Sequence, residues 1–171
     1  LIVRKEKGRL RNYFHIGTGN YNSNTSKFYT DLGLLSTDPE IASDLLELFN
    51  YLSGFSKQKS YQKLLVSPSS MRKKFIFLIK REIKNAEEGK KAEIIAKMNS
   101  LVDPEIINLL YLASDSGVKI SLIVRGICCL YPQRKNLSEN IKVKSIIGHF
   151  LEHSRIFWFC NNGDNEVFIG S

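Results

Sequence analysis

The sequence predicts an α/β fold built on a mostly parallel mixed sheet flanked by helices, on three observations. From residue 64 onward, segments with strand character alternate with segments of helical periodicity, as parallel strands joined by helical crossovers require. One strand candidate, 118–124, is a near-continuous apolar run of the kind buried on both faces of such a sheet. The end differs: two apolar runs flank Asn161-Asn162-Gly163-Asp164, a hairpin signal that adds antiparallel strands.

In chain order, residues 1–5 and 11–16 read as two short strands joined by a basic turn at Lys7-Gly8. Gly17-Thr18-Gly19-Asn20-Tyr21-Asn22-Ser23-Asn24 follows, a loop rich in residues that tolerate positive φ. A helix starts at Pro39, capped by Thr37 or Asp38 and closed by Gly54. Its inward stripe is Ile41, Leu45, Leu48, Phe49 and Leu52. Residues 55–63 are polar and aperiodic, and a domain boundary is expected there, dividing the chain into 1–63 and 64–171.

Beyond it, 64–66 reads as a short strand and 69–88 as a helix with Met71, Phe75, Leu78, Ile79 and Ile83 inward and Gly89 past its end. Residues 93–98 form a second strand. Asp103 caps a helix with Pro104 in its first position, running to about Ser114 and closed by Gly117. The apolar strand 118–124 comes next, then strands 155–160 and 166–169 around the hairpin. Arg72, Lys73, Lys74, Lys80, Arg81 and Lys84 read as the solvated face of their helix.

The 171 residues are 43% hydrophobic, as in an ordinary globular chain. The three cysteines, Cys128, Cys129 and Cys160, form neither a disulfide framework nor a zinc spacing. Cys128 and Cys129 read as buried small hydrophobes, and a reducing, cytoplasmic setting is the default. No apolar run reaches the roughly 20 residues of a membrane span. The chain opens without Met and ends abruptly, so both ends are expected to be cut. A net charge of +8 points to an anionic partner, nucleic acid or another polyanion or phosphorylated ligand, although it also serves solubility.

Four places carry candidate chemistry. His15 precedes the Gly/Asn loop, whose backbone N–H groups can form an anion nest; the alternative is an ordinary strand-end residue. His153 and Arg155 stand two apart before a strand. On one face, the cation can hold a phosphoryl oxygen while the imidazole attacks phosphorus or protonates a leaving oxygen. A surface strand of mixed charge is the plain alternative. Arg125-Gly126 follows the apolar strand, where open sheets bind ligands and a guanidinium suits phosphate, unless Arg125 merely reaches solvent. Tyr29 by itself reads as a core tyrosine.

His15-Ile16-Gly17-Thr18-Gly19-Asn20-Tyr21-Asn22, Tyr29-Thr30-Asp31, Arg125-Gly126-Ile127-Cys128-Cys129-Leu130, Ser145-Ile146-Ile147 and Leu151-Glu152-His153-Ser154-Arg155 occur in this order. The series resembles the carboxy-terminal half of the long-chain polyphosphate kinase family, over essentially the whole chain. That resemblance implies two phospholipase D-like domains, the end of the first at 1–63 and most of the second at 64–171. It implies reversible transfer of the γ-phosphate of ATP to inorganic polyphosphate, with ATP or ADP and Mg2+ as cofactors, through a phosphohistidine whose histidine lies upstream of Leu1.

By likeness, His153 with Arg155 matches a second His-x-Lys motif, Arg125 a nucleotide-phosphate contact, Tyr29 the residue that packs on adenine, and His15 a histidine needed for activity. His149 stands where the family more often has Arg and takes no role, and no metal ligand is assigned. No nucleic-acid partner is expected; a homo-oligomeric, cytoplasmic parent with peripheral membrane association is. The isolated chain is expected to be inactive. The rival expectations are a phospholipase D-type phosphodiesterase and a non-catalytic polyanion-binding module.

Overall fold

The chain folds as β1 (Ile2–Glu6), β2 (Arg9–Gly17), β3 (Tyr29–Thr30), β4 (Gly33–Ser36), α1 (Pro39–Leu52) and α2 (Met71–Glu87). It continues as β5 (Glu93–Met98), α3 (Pro104–Asp115), β6 (Lys119–Val124), β7 (Ile141–Lys144), β8 (Leu151–Glu152), β9 (Arg155–Phe159) and β10 (Glu166–Gly170). This computed structural model describes residues 1–57 and 60–170. Gln58 and Lys59, within the expected boundary segment, and Ser171, after the last strand, lie outside the described residues. Contacts divide the chain into two units: Leu1–Ile16 with Gly33–Lys74, and Gly17–Leu32 with Phe75–Ser171.

The first unit is built on a three-stranded sheet, ordered β1-β2-β4. β1 and β2 pair antiparallel in the register Ile2↔Tyr13 to Glu6↔Arg9. Lys7 (φ 46°) and Gly8 (φ 79°) make the turn, both left-handed as a two-residue hairpin of this kind requires. Asp38, not Thr37, caps α1, its carboxylate accepting from Ile41 N at 2.9 Å. The expected apolar stripe of α1 is only partly used: Ala42 and Asp44 are buried, whereas Phe49 and Leu52 are 48% and 70% exposed. Segment 64–66 is not a strand. The backbone N–H groups of Gln62, Lys63 and Leu64 all donate to the buried Asp44 carboxylate, so no sheet edge claims them.

The second unit carries a five-stranded mixed sheet, ordered β10-β9-β5-β6-β7. β5, β6 and β7 are parallel; β9 pairs antiparallel with β5, and β10 antiparallel with β9. The α/β class and mixed sheet expected from the sequence are present. Leu78 and Ile79 of α2, with Ile107, Leu110 and Ala113 of α3, cover one face, meeting Ile94, Ala96, Ile120, Leu122 and Phe159. Phe75 packs among Phe157, Phe159 and Phe168. β6 alternates rather than being buried on both faces: Ile120, Leu122 and Val124 are buried, while Ser121 and Ile123 are only half-buried. The reason is one-sided cover, which also leaves Ile95 41% and Val167 61% exposed.

One buried charge organises this unit. Glu82 of α2 is fully buried, and its carboxylate accepts from Asn161 N (3.0 Å) and Glu93 N (3.3 Å), pinning the β9–β10 hairpin and the start of β5. Arg81, expected on the solvated face, instead pairs with Glu82 and Glu166. Burial pushes the Glu82 carboxyl above its ordinary value of 4.5, against the opposing pull of the Asn161 N–H and Arg81. Because the folded-state value is the higher one, the contribution of this group is whole below about pH 4.5 and declines as pH rises through the raised value. Denaturant unfolding across pH 4 to 8 should show that decline flattened in Glu82→Gln. Glu82→Ala, which orphans two buried N–H groups, should cost about 2–4 kcal/mol.

Candidate functional site

The site lies at the carboxyl ends of β5 and β6, where parallel sheets hold ligands. The ladder between these strands continues past their ends, with Arg125 N donating to Met98 O (3.1 Å) and Gly126 N to Asn99 O (2.6 Å). A Cβ on Gly126 would stand 2.9 Å from Asn99 O, so only glycine permits this approach. Leu101 and Cys128 extend the pairing by one parallel bridge. Cys128 is half-buried against the core, but Cys129 is exposed, contrary to its reading as a buried hydrophobe.

His153 and Ser154 do not lie on a strand. They occupy the break between β8 and β9, and each of residues 152–155 is fastened by a partner outside that stretch. The Glu152 carboxylate and Ser154 Oγ both bind Lys97 Nζ, from the end of β5. The Glu152 carbonyl accepts from Arg125 Nη1 at 2.7 Å. His153 N donates to Thr30 O (2.9 Å), extending the parallel pairing of β3 with β8. The Asn99 amide, oriented with its oxygen toward the guanidiniums, accepts from Arg155 Nη2 at 2.8 Å and Arg125 Nη2 at 3.1 Å.

The His153 ring is held twice. Its Nδ1 lies 2.6 Å from the carbonyl oxygen of Thr18. A carbonyl only accepts, so Nδ1 carries the proton and Nε2 is the nitrogen left for chemistry. The ring also stacks on Tyr29, with centroids 4.9 Å apart and planes 9° from parallel. Thr18 is itself fully buried and doubly bonded to Leu32, N to O and Leu32 N to Thr18 Oγ1, both at 2.9 Å. This clamp closes the loop Gly17–Leu32 into the unit that contains His153.

The loop is not an anion nest. Among the described residues none of 17–24 has positive φ, and a nest needs that alternation of hand. Its Gly19 serves another purpose: a Cβ there would fall 1.7 Å from Asp31 Oδ2.

Two guanidiniums thus share one neutral acceptor. Burial first, and the neighbouring Arg125 second, pull the Arg155 pKa below the ordinary arginine value. Its Nη1 is buried with no hydrogen-bond partner among the described residues. Arg125, with Phe28, Tyr29, Ile147, His149 and Phe150, is among the lining of a cavity of about 420 Å3. Tyr29 stacks on His153 with one face and also lines this cavity, and His149 packs edge-on against Phe150.

Four sequence candidates, Tyr29, Arg125, His153 and Arg155, thereby come together. His15 belongs to the first unit, on β2, where its ring occupies the space of a missing side chain: a Cβ on Gly33 would lie 2.5 Å from its Nε2. Lys97, Asn99 and Thr18 were not anticipated. Position alone could have flagged Asn99, one residue past a parallel strand.

Among the described residues no group of three or more His, Cys, Asp or Glu could hold a metal ion. At the site the Glu152 carboxylate is already paired with Lys97, amid cations. These side chains do not fit a magnesium ion. No helix among the described residues is long and apolar enough to cross a membrane.

The fold is that of a phospholipase D-like α/β protein, with a cation-rich site at its strand ends. "Polyphosphate kinase C-terminal domain 2" matches residues 64–171, and "Polyphosphate kinase C-terminal domain 1" matches residues 1–58. The whole chain is 67% identical to 24% of the polyphosphate kinase of Prochlorococcus marinus. It is 53% identical to 16% of that of Dictyostelium discoideum. The crystal structure of polyphosphate kinase from Porphyromonas gingivalis superposes with a TM-score of 0.86 at 41% identity, over 96% of this chain and 27% of that one. The chain belongs to the polyphosphate kinase family, a family of transferases, and spans about a quarter of the length of its first bacterial relatives.

The Thr18 clamp yields an expectation. Thr18→Val keeps the volume but strips the acceptor from Leu32 N, at a cost of about 1–3 kcal/mol. Amide exchange should quicken across 18–32 while the β5–β6 ladder stays protected.

Proposed function

We propose that the chain forms part of the nucleotide site of an ATP:polyphosphate phosphotransferase. What supports this most directly is the buried, unpartnered Nη1 of Arg155 beside Arg125, a donor placed for an anion. Phosphate oxygens would complete it, since charge-assisted bonds from paired guanidiniums suit them geometrically and electrostatically. Tyr29 would pack on adenine with its outer face, the apolar cavity receiving the base.

In this scheme a histidine upstream of Leu1 in the parent protein takes the γ-phosphoryl: the bond from phosphorus to the ADP oxygen breaks as the P–N bond forms. His153, held by Thr18 and Tyr29, presents Nε2 to the transferring group. As imidazolium it donates that proton to a phosphoryl or leaving oxygen, while Arg125 and Arg155 offset the charge on the equatorial oxygens. In the second transfer the P–N bond breaks and the terminal oxygen of polyphosphate attacks. Both ends are phosphoanhydrides, so the reaction runs either way. Mg2+ would arrive with the nucleotide and reduce its charge. His15 serves the same activity from the first unit. The net charge of +8 suits a polymeric phosphate.

The test uses the full-length parent protein and ATP labelled on the γ-phosphate. Protein-bound label that acid removes and alkali spares, chasing into long polymer, is expected. His153→Ala should lower the rate roughly 100-fold or more. Label-free protein that instead cleaves phosphodiesters would refute the proposal.

A further inference from the structure

We propose that Asn99 is a positioning residue that joins Arg125 and Arg155 into a single phosphate-receiving pair while leaving their charge unspent. It rests on the assignment of these arginines as phosphate contacts.

Two guanidiniums repel each other, and an acceptor between them must hold them together. A carboxylate would do so most firmly, but it would also neutralise one of them and compete with a phosphate oxygen for the same N–H groups. Asn99 supplies the same oxygen without charge, accepting Nη2 of both arginines at 2.8 and 3.1 Å. Arg155 is left with its buried Nη1 unpartnered.

Asn99 is well placed to set this geometry because its own backbone is fixed. Its carbonyl accepts from Gly126 N at 2.6 Å, which locks it to the residue that follows Arg125. One residue thus positions both arginines, one through the strand-end ladder and both through its amide.

A merely structural clamp and this one make opposite predictions for Asn99→Asp. If Asn99 only holds the arginines, Asp is at least as good. If its neutrality matters, Asp keeps the fold and loses the nucleotide. In the full-length kinase, Asn99→Asp should melt near the wild type yet raise Kd and KM for ATP roughly tenfold or more, the equivalent of a lost charge-assisted hydrogen bond. kcat should fall by less than KM rises. Asn99→Ala, which lets the guanidiniums part, should weaken ATP binding too, and neither change should add much in an Arg125→Ala, Arg155→Ala background.

ATP affinity within twofold of wild type in Asn99→Asp, with Arg125→Ala weakened, would overturn this inference alone. Unaltered affinity in Arg125→Ala as well would overturn the phosphate assignment and the inference with it.

Discussion

The short parallel pairing of Tyr29–Thr30 with Leu151–Glu152 decides where everything else at the site stands. Two residues on each side suffice because the contact is reinforced at once. His153 N donates to Thr30 O, and the His153 ring then finds Thr18 O and the face of Tyr29. A pairing this short would be marginal alone. It persists because Lys97, Arg125 and Asn99 hold residues 152–155 from the sheet side. The strand break that frees His153 from a ladder is therefore among the most heavily bonded stretches of the unit.

The same economy appears in how the chain spends its acids. With a net charge of +8, carboxylates are the scarcer charge, and two are placed in buried positions as backbone acceptors. Asp44 gathers three successive N–H groups in the first unit; Glu82 gathers two from separate elements in the second. An ionised oxygen accepts several such bonds at once, which offsets part of the desolvation. Between Arg125 and Arg155 the choice is reversed: the acceptor is an amide.

Much of this was legible in the sequence where signals are local. The Lys7-Gly8 and Asn161-Asn162-Gly163 turns, the Asp103-Pro104 helix start and the bounds of β5 follow from cap and turn chemistry within a few residues. β3, β4, β7 and β8 were not, since strands of two to four residues exist only through distant partners. The stretch 64–66 misled because its apolar residues say nothing of Asp44, some twenty residues earlier. At the site, Arg125 was readable from its place after a buried strand; the spacing of His153 and Arg155 singled them out, but they do not share the strand face that spacing assumed. Tyr29 carried no signal of its own, and only resemblance pointed to it. Thr18 acts on His153 across 135 residues and Lys97 on Ser154 across 57, distances no periodicity spans.

The loop Gly17–Leu32 has a consequence for how such a protein can be divided. It is threaded between β2 and β4 of the first unit, yet its contacts belong with the second. The two family matches, 1–58 and 64–171, place it with the segment that its contacts leave behind. A polypeptide beginning at Leu64 keeps the five-stranded sheet, Arg125, Asn99 and Arg155, but its histidine has neither carbonyl anchor nor stacking partner. The two segments are thus not interchangeable modules. Substitutions in residues 17–32 and 151–155 must be tolerated jointly, and a chimera joined at residue 63 from two distant relatives would inherit a mismatched pair.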